Sequence, residues 1–538
     1  MNEPQPTFDH AFVHRPRLWL ALIAILYLVV AVNFAIRTPP WQAPDEPAHY
    51  NYIAHVATTG SLPVLRMGDY DEPYKNELVS KRFPAGASVA PLRYESYQPP
   101  LYYLLGAVVY RFSNGDLLAV RLLNVGLGLG IVLLIYATLG MVFPDKPLIV
   151  LGATAFTAFL PMHVAITAAV TNDVLAELLV VAQMTVLLTW MRIQLETPTV
   201  EQRGLLLLLG VLLGLGLLTK IYAYAMAPLC ALAVVVTIWW RDRRWQGLLR
   251  GLSDTLYLVT PALLLGAPWW IRSTQLYGPW DVLGLRWHDQ VVAGQPTTSD
   301  WIARNGFVPY SERAFSLTFQ SFWGVFGWLG VFMDERIYTA LLIGSGVLFL
   351  GLLWSLIRLI SGRPDTDVDD YQRWVLIVFA IMIGVVTASY IWYNTKFVQH
   401  QGRYFFWGLL PISTFVAFGW REVMRPLQGV ITGILATILA LALAFTSYVS
   451  GYSNKWTLVT IALFAVPLLL APLLYLGVAG YTLPWLPTAV QRFFARPLVM
   501  RLSAVGRCAL WAAPYVLLVL LNLLIPTLYL LPQLHAYR

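Results

Sequence analysis

Thirteen apolar runs, each near the ~20 residues that cross a bilayer core, divide this 538-residue chain. They fall at roughly 18–36, 120–142, 148–163, 172–191, 204–219, 221–240, 253–272, 337–360, 374–393, 403–420, 428–448, 456–478 and 508–530. The runs are continuous, whereas a transmembrane barrel alternates over segments of about ten residues. The expected fold is therefore an all-α polytopic membrane protein. Composition agrees: 12% of residues are charged and 58% hydrophobic, which excludes both a water-soluble globule and a disordered chain.

Charge then gives a topology. Lys and Arg number 36 against 28 Asp and Glu, for a net charge of +8. The basic residues sit mostly at the ends of apolar runs, so the excess reads as positive-inside topology with some affinity for anionic membrane lipids, and not as nucleic-acid binding. Arg15 and Arg17 put the N-terminus in the cytoplasm. Thirteen spans place Arg241/Arg243/Arg244/Arg250, Arg358/Arg363/Arg373, Arg421/Arg425 and Arg492/Arg496/Arg501/Arg507 on that same side. The apolar segment 101–112 would invert every cluster if it crossed. It is read instead as an interfacial helix held by Tyr97, Tyr102 and Tyr103. The first run lacks a small-residue cleavage site and is read as a retained span. Cys230 and Cys508 lie in spans without CxxC spacing, so neither a disulfide framework nor a zinc cluster is expected.

The resulting organisation is an N-terminal tail and first span (1–36), a long outer loop (37–119), core spans (120–272), a second outer loop (273–336) and further C-terminal spans (337–538). Residues 361–370, SGRPDTDVDD, form a cytoplasmic linker. Long loops on a rigid scaffold are where binding and catalysis are expected.

The first loop opens PPWQAPDEPAHYNYIAHVATTGSLPV at 39–64. Pro47 suits a first helical turn and Gly60 a position just past a helix end. Asp45 is then a natural N-cap. It is equally a carboxylate at the outer membrane surface, adjacent to Glu46, where it can serve as a general base. His49 stands at i+4 from Asp45 and shares its face.

These residues, followed by YQPPLYYLL at 97–105 and AVRLLN at 119–124, resemble the GT-C superfamily of membrane glycosyltransferases. The pattern is most similar to glycosyltransferase family 39, which includes protein O-mannosyltransferases and lipid A aminoarabinose transferases, in its uncharacterised bacterial branch. The resemblance covers roughly the first 280 residues. It implies a helical bundle with interfacial helices in the first outer loop and a variable set of C-terminal spans. It also implies an inverting transfer of a hexose or pentose from a polyprenyl-phosphate carrier to a lipid, glycan or protein acceptor at the outer face of the plasma membrane.

On this reading Asp45 is the general base and Glu46 its catalytic companion, with Asn172, Asp173 and His49 positioning the acceptor. Lys220 in LLTKIY, Arg272 after PWW, Arg403 in QGRYFF and Arg121 in AVRLLN are the cations for the donor phosphate, against plain readings as snorkelling or headgroup anchors. Gln98, Tyr404 and Trp323 border the donor and its lipid; SFWGVFGW at 321–328 reads as either aromatic belt or isoprenoid wall. Gln98 departs from relatives that carry Lys before the paired prolines, which makes an aminoarabinose donor less expected. No cofactor is required, although a divalent metal at Asp45, Glu46 and Asp173 would be chemically reasonable. A flippase of lipid-linked sugars and a non-catalytic polysaccharide-assembly protein remain as alternatives. Walker A, GxSxG and HExxH motifs are absent.

Overall fold

The computed structural model describes residues 15–197, 202–361, 368–476 and 481–535; Arg363 and most of the 361–370 linker lie outside them. Over the described residues, each expected span coincides with helix. Ten described helical segments are long and apolar enough to cross a membrane on their own, and a bent pair makes an eleventh. The other two expected spans are shorter than read from sequence. One is the helix Arg203–Leu217. The other, expected from 403, is a 3-10 segment, Gly402–Gly408, followed by the helix Leu409–Val423.

The bent pair corrects the expected span 148–163. Pro147–Phe159 and Pro161–Thr167 meet at 63°. Pro161 has no N–H to continue the ladder and drives Leu160 into an extended conformation, at φ −64° and ψ 115°. Every residue of Pro147–Phe159 is buried, as suits a helix apolar on all sides. It packs among Pro16–Arg37, Leu117–Val142, Leu409–Val423 and Pro497–Ile525. Leu409–Val423 in turn lies against Glu335–Ile360 with almost no space: a Cβ on Gly351 would collide with the Gly419 carbonyl.

The first loop holds the helix Glu46–Thr59, ended by Gly60 at φ +69°, and the helix Leu101–Phe112. Both boundaries follow from sequence. The second packs Tyr102, Tyr103, Gly106 and Ala107 inward, while Leu104, Leu105, Val108 and Phe112 stay exposed. One packed side and one bare apolar side suit a helix lying at a membrane interface. The second loop contains three more helices, Leu285–Val291, Thr298–Asn305 and Phe307–Gly324. A small antiparallel hairpin follows, pairing Val325 with Phe332 and Phe326 with Val331. Helix Trp245–Tyr277 runs one turn beyond the expected end of its span.

The charged groups separate by bundle end. Helix Asp173–Glu196 begins beside Lys220 and ends where Arg241 donates to Gln194 at 2.6 Å. Those ends are about 36 Å apart at 1.5 Å per residue. At the same far end Lys146 meets Gln372 and Glu422 pairs with Arg358 and Arg425.

Candidate active site

Asp45 and Glu46 are neighbours in sequence and part company in space. Asp45 adopts the left-handed conformation, φ 63° and ψ −3°, immediately before the helix Glu46–Thr59. Among L residues Asp tolerates this region better than most. Although Asp45 occupies the cap position, its side chain makes no capping bond. Its carboxylate turns instead towards segments far along the chain. Tyr94 donates its hydroxyl to Oδ1 at 2.9 Å, and Arg403 donates from Nη2 to Oδ2 at 2.9 Å.

Glu46 is fully buried and faces the other way. Arg121 donates to it twice, from Nε to Oε1 at 2.8 Å and from Nη2 to Oε2 at 2.6 Å. The backbone N–H groups of Trp41 and Val170 complete its partners. Arg121 spends its remaining donors on the carbonyls of Ala35, Thr38 and Pro39. This fork-to-fork pair ties the end of the first span to the start of helix Leu117–Val142. The expectation that Arg121 meets a donor phosphate and that Glu46 is a catalytic companion of Asp45 therefore does not fit their surroundings: each saturates the other inside the protein.

Asp173 and Lys220 form a second pair open to the cleft, Nζ to Oδ1 at 2.5 Å. Thr171 donates its hydroxyl to the other oxygen of Asp173. Asn172 is buried; its Oδ1 accepts from Lys220 and its Nδ2 donates to the Thr219 carbonyl. It aims Lys220 and does not face the cleft. Asn124, from AVRLLN, donates to the carbonyls of Ala169 and Thr171 and so sets the turn that carries Asp173. Glu177 is withdrawn to His163.

His49 sits among these groups. Its Nδ1 lies 2.9 Å from the Tyr103 hydroxyl. Burial lowers its pKa and Lys220 adds to that, while Glu95, Asp45 and Asp173 pull it upward. Four charged side chains from four separate segments thus act on one imidazole. Asp45 itself is held at about 2: burial alone would raise its carboxyl, but Arg403, His49 and the Tyr94 hydroxyl outweigh it. Burial, followed by Asp45, keeps the Tyr94 phenol protonated.

Arg272 lies to one side. Its Nη2 donates to the carbonyls of Leu62 and Pro63, at 3.3 and 2.7 Å. Its guanidinium covers Trp269, and its Nη1 is buried without a partner. It is linked to the cleft through Tyr52, which stacks on Tyr103 at 3.7 Å. Gln98 is buried and donates to the Tyr97 hydroxyl at 3.2 Å. Tyr404 stands edge-on to Tyr393 beside Arg403.

Trp323 lies in the wall of an apolar cavity of about 700 Å³, where its neighbour Phe322 packs against Gly402, next to Arg403. Phe156, Phe319, Phe322, Phe349 and Phe415 share that wall, between the Phe307–Gly324 helix and the helices from 335, 370 and 409. The rest of SFWGVFGW does a different job. Trp328 donates to the Trp41 carbonyl at 3.0 Å and fixes the loop that leads into Asp45.

Among the described residues no group of three His, Cys, Asp or Glu side chains is arranged to hold a metal ion. The three acids named for a metal are each taken by a cation: Asp45 by Arg403, Glu46 by Arg121 and Asp173 by Lys220. Tyr94, Glu95 and Asn124 are cleft or supporting residues that the sequence reading passed over. Tyr94 and Glu95 stand just before YQPP and Asn124 closes AVRLLN, so each adjoins a stretch that was singled out.

Comparison with known proteins agrees in class. Residues 87–277 match the family described as dolichyl-phosphate-mannose-protein mannosyltransferase. The matched segment begins ahead of the Tyr94 turn and stops at the end of helix Trp245–Tyr277. No curated protein sequence matches. Two crystal structures of ArnT from Cupriavidus metallidurans are similar. The one bound to undecaprenyl phosphate is 16% identical over 94% of this chain and 77% of its own, with a TM-score of 0.45. The apo form is 17% identical over 94% and 76%, with a TM-score of 0.47.

Proposed function

We infer that this protein is an integral membrane glycosyltransferase that moves a sugar from a polyprenyl-phosphate carrier to an acceptor hydroxyl, with inversion. The observation that carries the reading is the cleft in which Asp45–Arg403 and Asp173–Lys220 face one imidazole, His49. It joins two carboxylates to two cations at one end of an apolar bundle, and an aromatic cavity of about 700 Å³ opens between the helices.

The carrier tail occupies that cavity against Trp323. Its phosphate lies within reach of Lys220, Arg403 and Arg272; Arg403 keeps a buried Nε, and Arg272 a buried Nη1, without partners. Prearranged cations of this kind stabilise charge as it accumulates on the departing phosphate. The acceptor oxygen attacks the anomeric carbon from the face opposite the phosphate. The new C–O bond forms as the old one breaks, and the carrier leaves as polyprenyl phosphate. The acceptor proton passes to Asp45. A carboxylate held near 2 is a weak base, so it takes the proton late, once the attacking oxygen has become strongly acidic. Asp173 and His49 orient the acceptor. With the arginine-rich end in the cytoplasm, the cleft faces outward at the plasma membrane.

The test is transfer by purified protein in lipid, supplied with a panel of polyprenyl-phosphate sugars, read as carrier release by mass spectrometry. Asp45→Asn is expected to abolish release. Wild-type rates in that variant, or movement of labelled carrier across the bilayer without any glycosidic product, would remove the proposal.

A further inference from the structure

Glu95 has no described ion pair, unlike the other acids that act on His49, and Glu177 is turned away to His163. Asp45, Asp173 and Glu46 are paired to Arg403, Lys220 and Arg121. Glu95 lies in the 3-10 segment Tyr94–Tyr97, next to the tyrosine that holds Asp45. Its Oε2 is buried and has no hydrogen-bond partner. After burial its charge is the largest influence on His49, on Tyr97 and on Tyr103, and His49 and Tyr103 are themselves joined at 2.9 Å. These come from the helix Glu46–Thr59, the 3-10 segment itself and the helix Leu101–Phe112.

A buried carboxylate oxygen without a donor is costly, and the cost disappears when a ligand brings one. Neither the phosphodiester of the sugar-bearing carrier nor a prenyl tail has a hydrogen to give. A pyranose ring does, on several hydroxyls. We propose that Glu95 is the sugar-reading carboxylate of the cleft, accepting hydrogen bonds from hydroxyl groups of the transferred sugar and so distinguishing the charged carrier from the spent one. This rests on the transfer reading above and adds a specificity residue to it. The device also has a kinetic use. After transfer the carrier retains its phosphate and tail contacts but has lost the Glu95 contact, which favours its release.

The test compares two probes on purified wild type, Glu95→Gln and Glu95→Asp in lipid nanodiscs: a polyprenyl phosphate, and the same lipid bearing glucose, mannose, galactose or aminoarabinose. Wild type is expected to bind at least one sugar-bearing lipid more tightly than the bare one. In Glu95→Gln that preference should fall by about tenfold or more, the loss expected for a hydrogen bond to a charged group, with bare-lipid binding unchanged and the thermal midpoint not lowered. Glu95→Asp, which keeps the charge on a shorter arm, should retain part of it. A Glu95→Gln protein with the full preference, or one that loses the bare lipid equally, overturns the assignment. A wild type that binds neither probe overturns the transfer reading as well, and is recognised by the bare-lipid arm alone.

Discussion

Replacing Arg403 by Gln removes the principal support of the Asp45 carboxylate, and the effect can be read without knowing the sugar. Asp45 lies at about 2, below its ordinary value of 3.8. A carboxyl held below its unfolded value stabilises the folded protein at every pH above that value, and the contribution is lost as pH falls towards 2. From 3.8 to 2 this amounts to about 2 kcal/mol. Burial pushes the other way and is the largest single influence on the group. Once the guanidinium is gone, only His49 and the Tyr94 hydroxyl still oppose burial, so the carboxyl is expected to rise above 3.8 and its linkage to change sign. The variant loses stability at neutral pH and regains part of it as acid protonates Asp45.

The assay is the thermal midpoint in detergent from pH 4 to 8. Wild type should show no dependence attributable to Asp45 over that range. Arg403→Gln should be lower by several degrees at pH 7 and should recover towards pH 4. Transfer should move in the opposite direction, failing as the pH drops, because the reaction needs Asp45 ionised. Arg403→Lys keeps a charge without the planar fork and should lie between. A Gln variant whose midpoint follows wild type at every pH would show that Arg403 does not hold Asp45, and the electrostatic account of the cleft would go with it.

Other consequences can be measured separately. Arg121→Met leaves Glu46 charged, buried and unpaired, a loss of about 3–5 kcal/mol, visible as failure to recover monodisperse protein; the double variant Arg121→Met/Glu46→Leu should regain part of it. Lys220→Ala should cut transfer about tenfold or more while shifting the midpoint less than Arg121→Met does, since its pair with Asp173 is partly exposed. Phe319→Glu places a charge in the apolar cavity and should weaken binding of a long-chain carrier far more than that of a carrier of one or two prenyl units. Gly351→Val should lower the thermal midpoint by separating two helices that meet backbone to backbone.

Helices were legible wherever local chemistry decides them. Pro47 and Gly60 bracket one helix, and the apolar run 101–112 is another from end to end. The break at Pro161 was present in the residues too, but a window of apolar composition has no term for a missing N–H, so the run 148–163 read as one span. The cleft was legible only in part, because a carboxylate announces its charge in sequence and not its partner. Asp45 is completed by Arg403, 358 positions away. Tyr94 and Glu95 carried no signal of their own. A tyrosine before an acid is common at any membrane surface, and only the short 3-10 turn brings one to Asp45 and the other beside His49.

The adjacency of Asp45 and Glu46 suggested a shared task, and backbone geometry separates their tasks. Two consecutive helical residues already project about 100° apart. Here the first lies outside the helix at φ 63°, so the divergence is larger still. Glu46 enters the bundle and, through Arg121, joins the first span to the one that follows the loop. Asp45 stays outside the bundle core, half-buried, and meets a segment from the C-terminal half. Anchoring Glu46 fixes the conformation of residue 45, and Trp328, bonded to Trp41, holds the approach from the other side. The pair therefore works as a post and an arm, and shortening Asp45 should leave the post intact. Conversely, any change at Glu46 should displace Asp45 even where the Asp45–Arg403 pair is untouched. Loss of transfer on altering Glu46 is thus no evidence that Glu46 touches a substrate, and the thermal midpoint tells the two apart: Asp45→Asn should stop transfer with a modest change in midpoint, and Glu46→Gln should lower both.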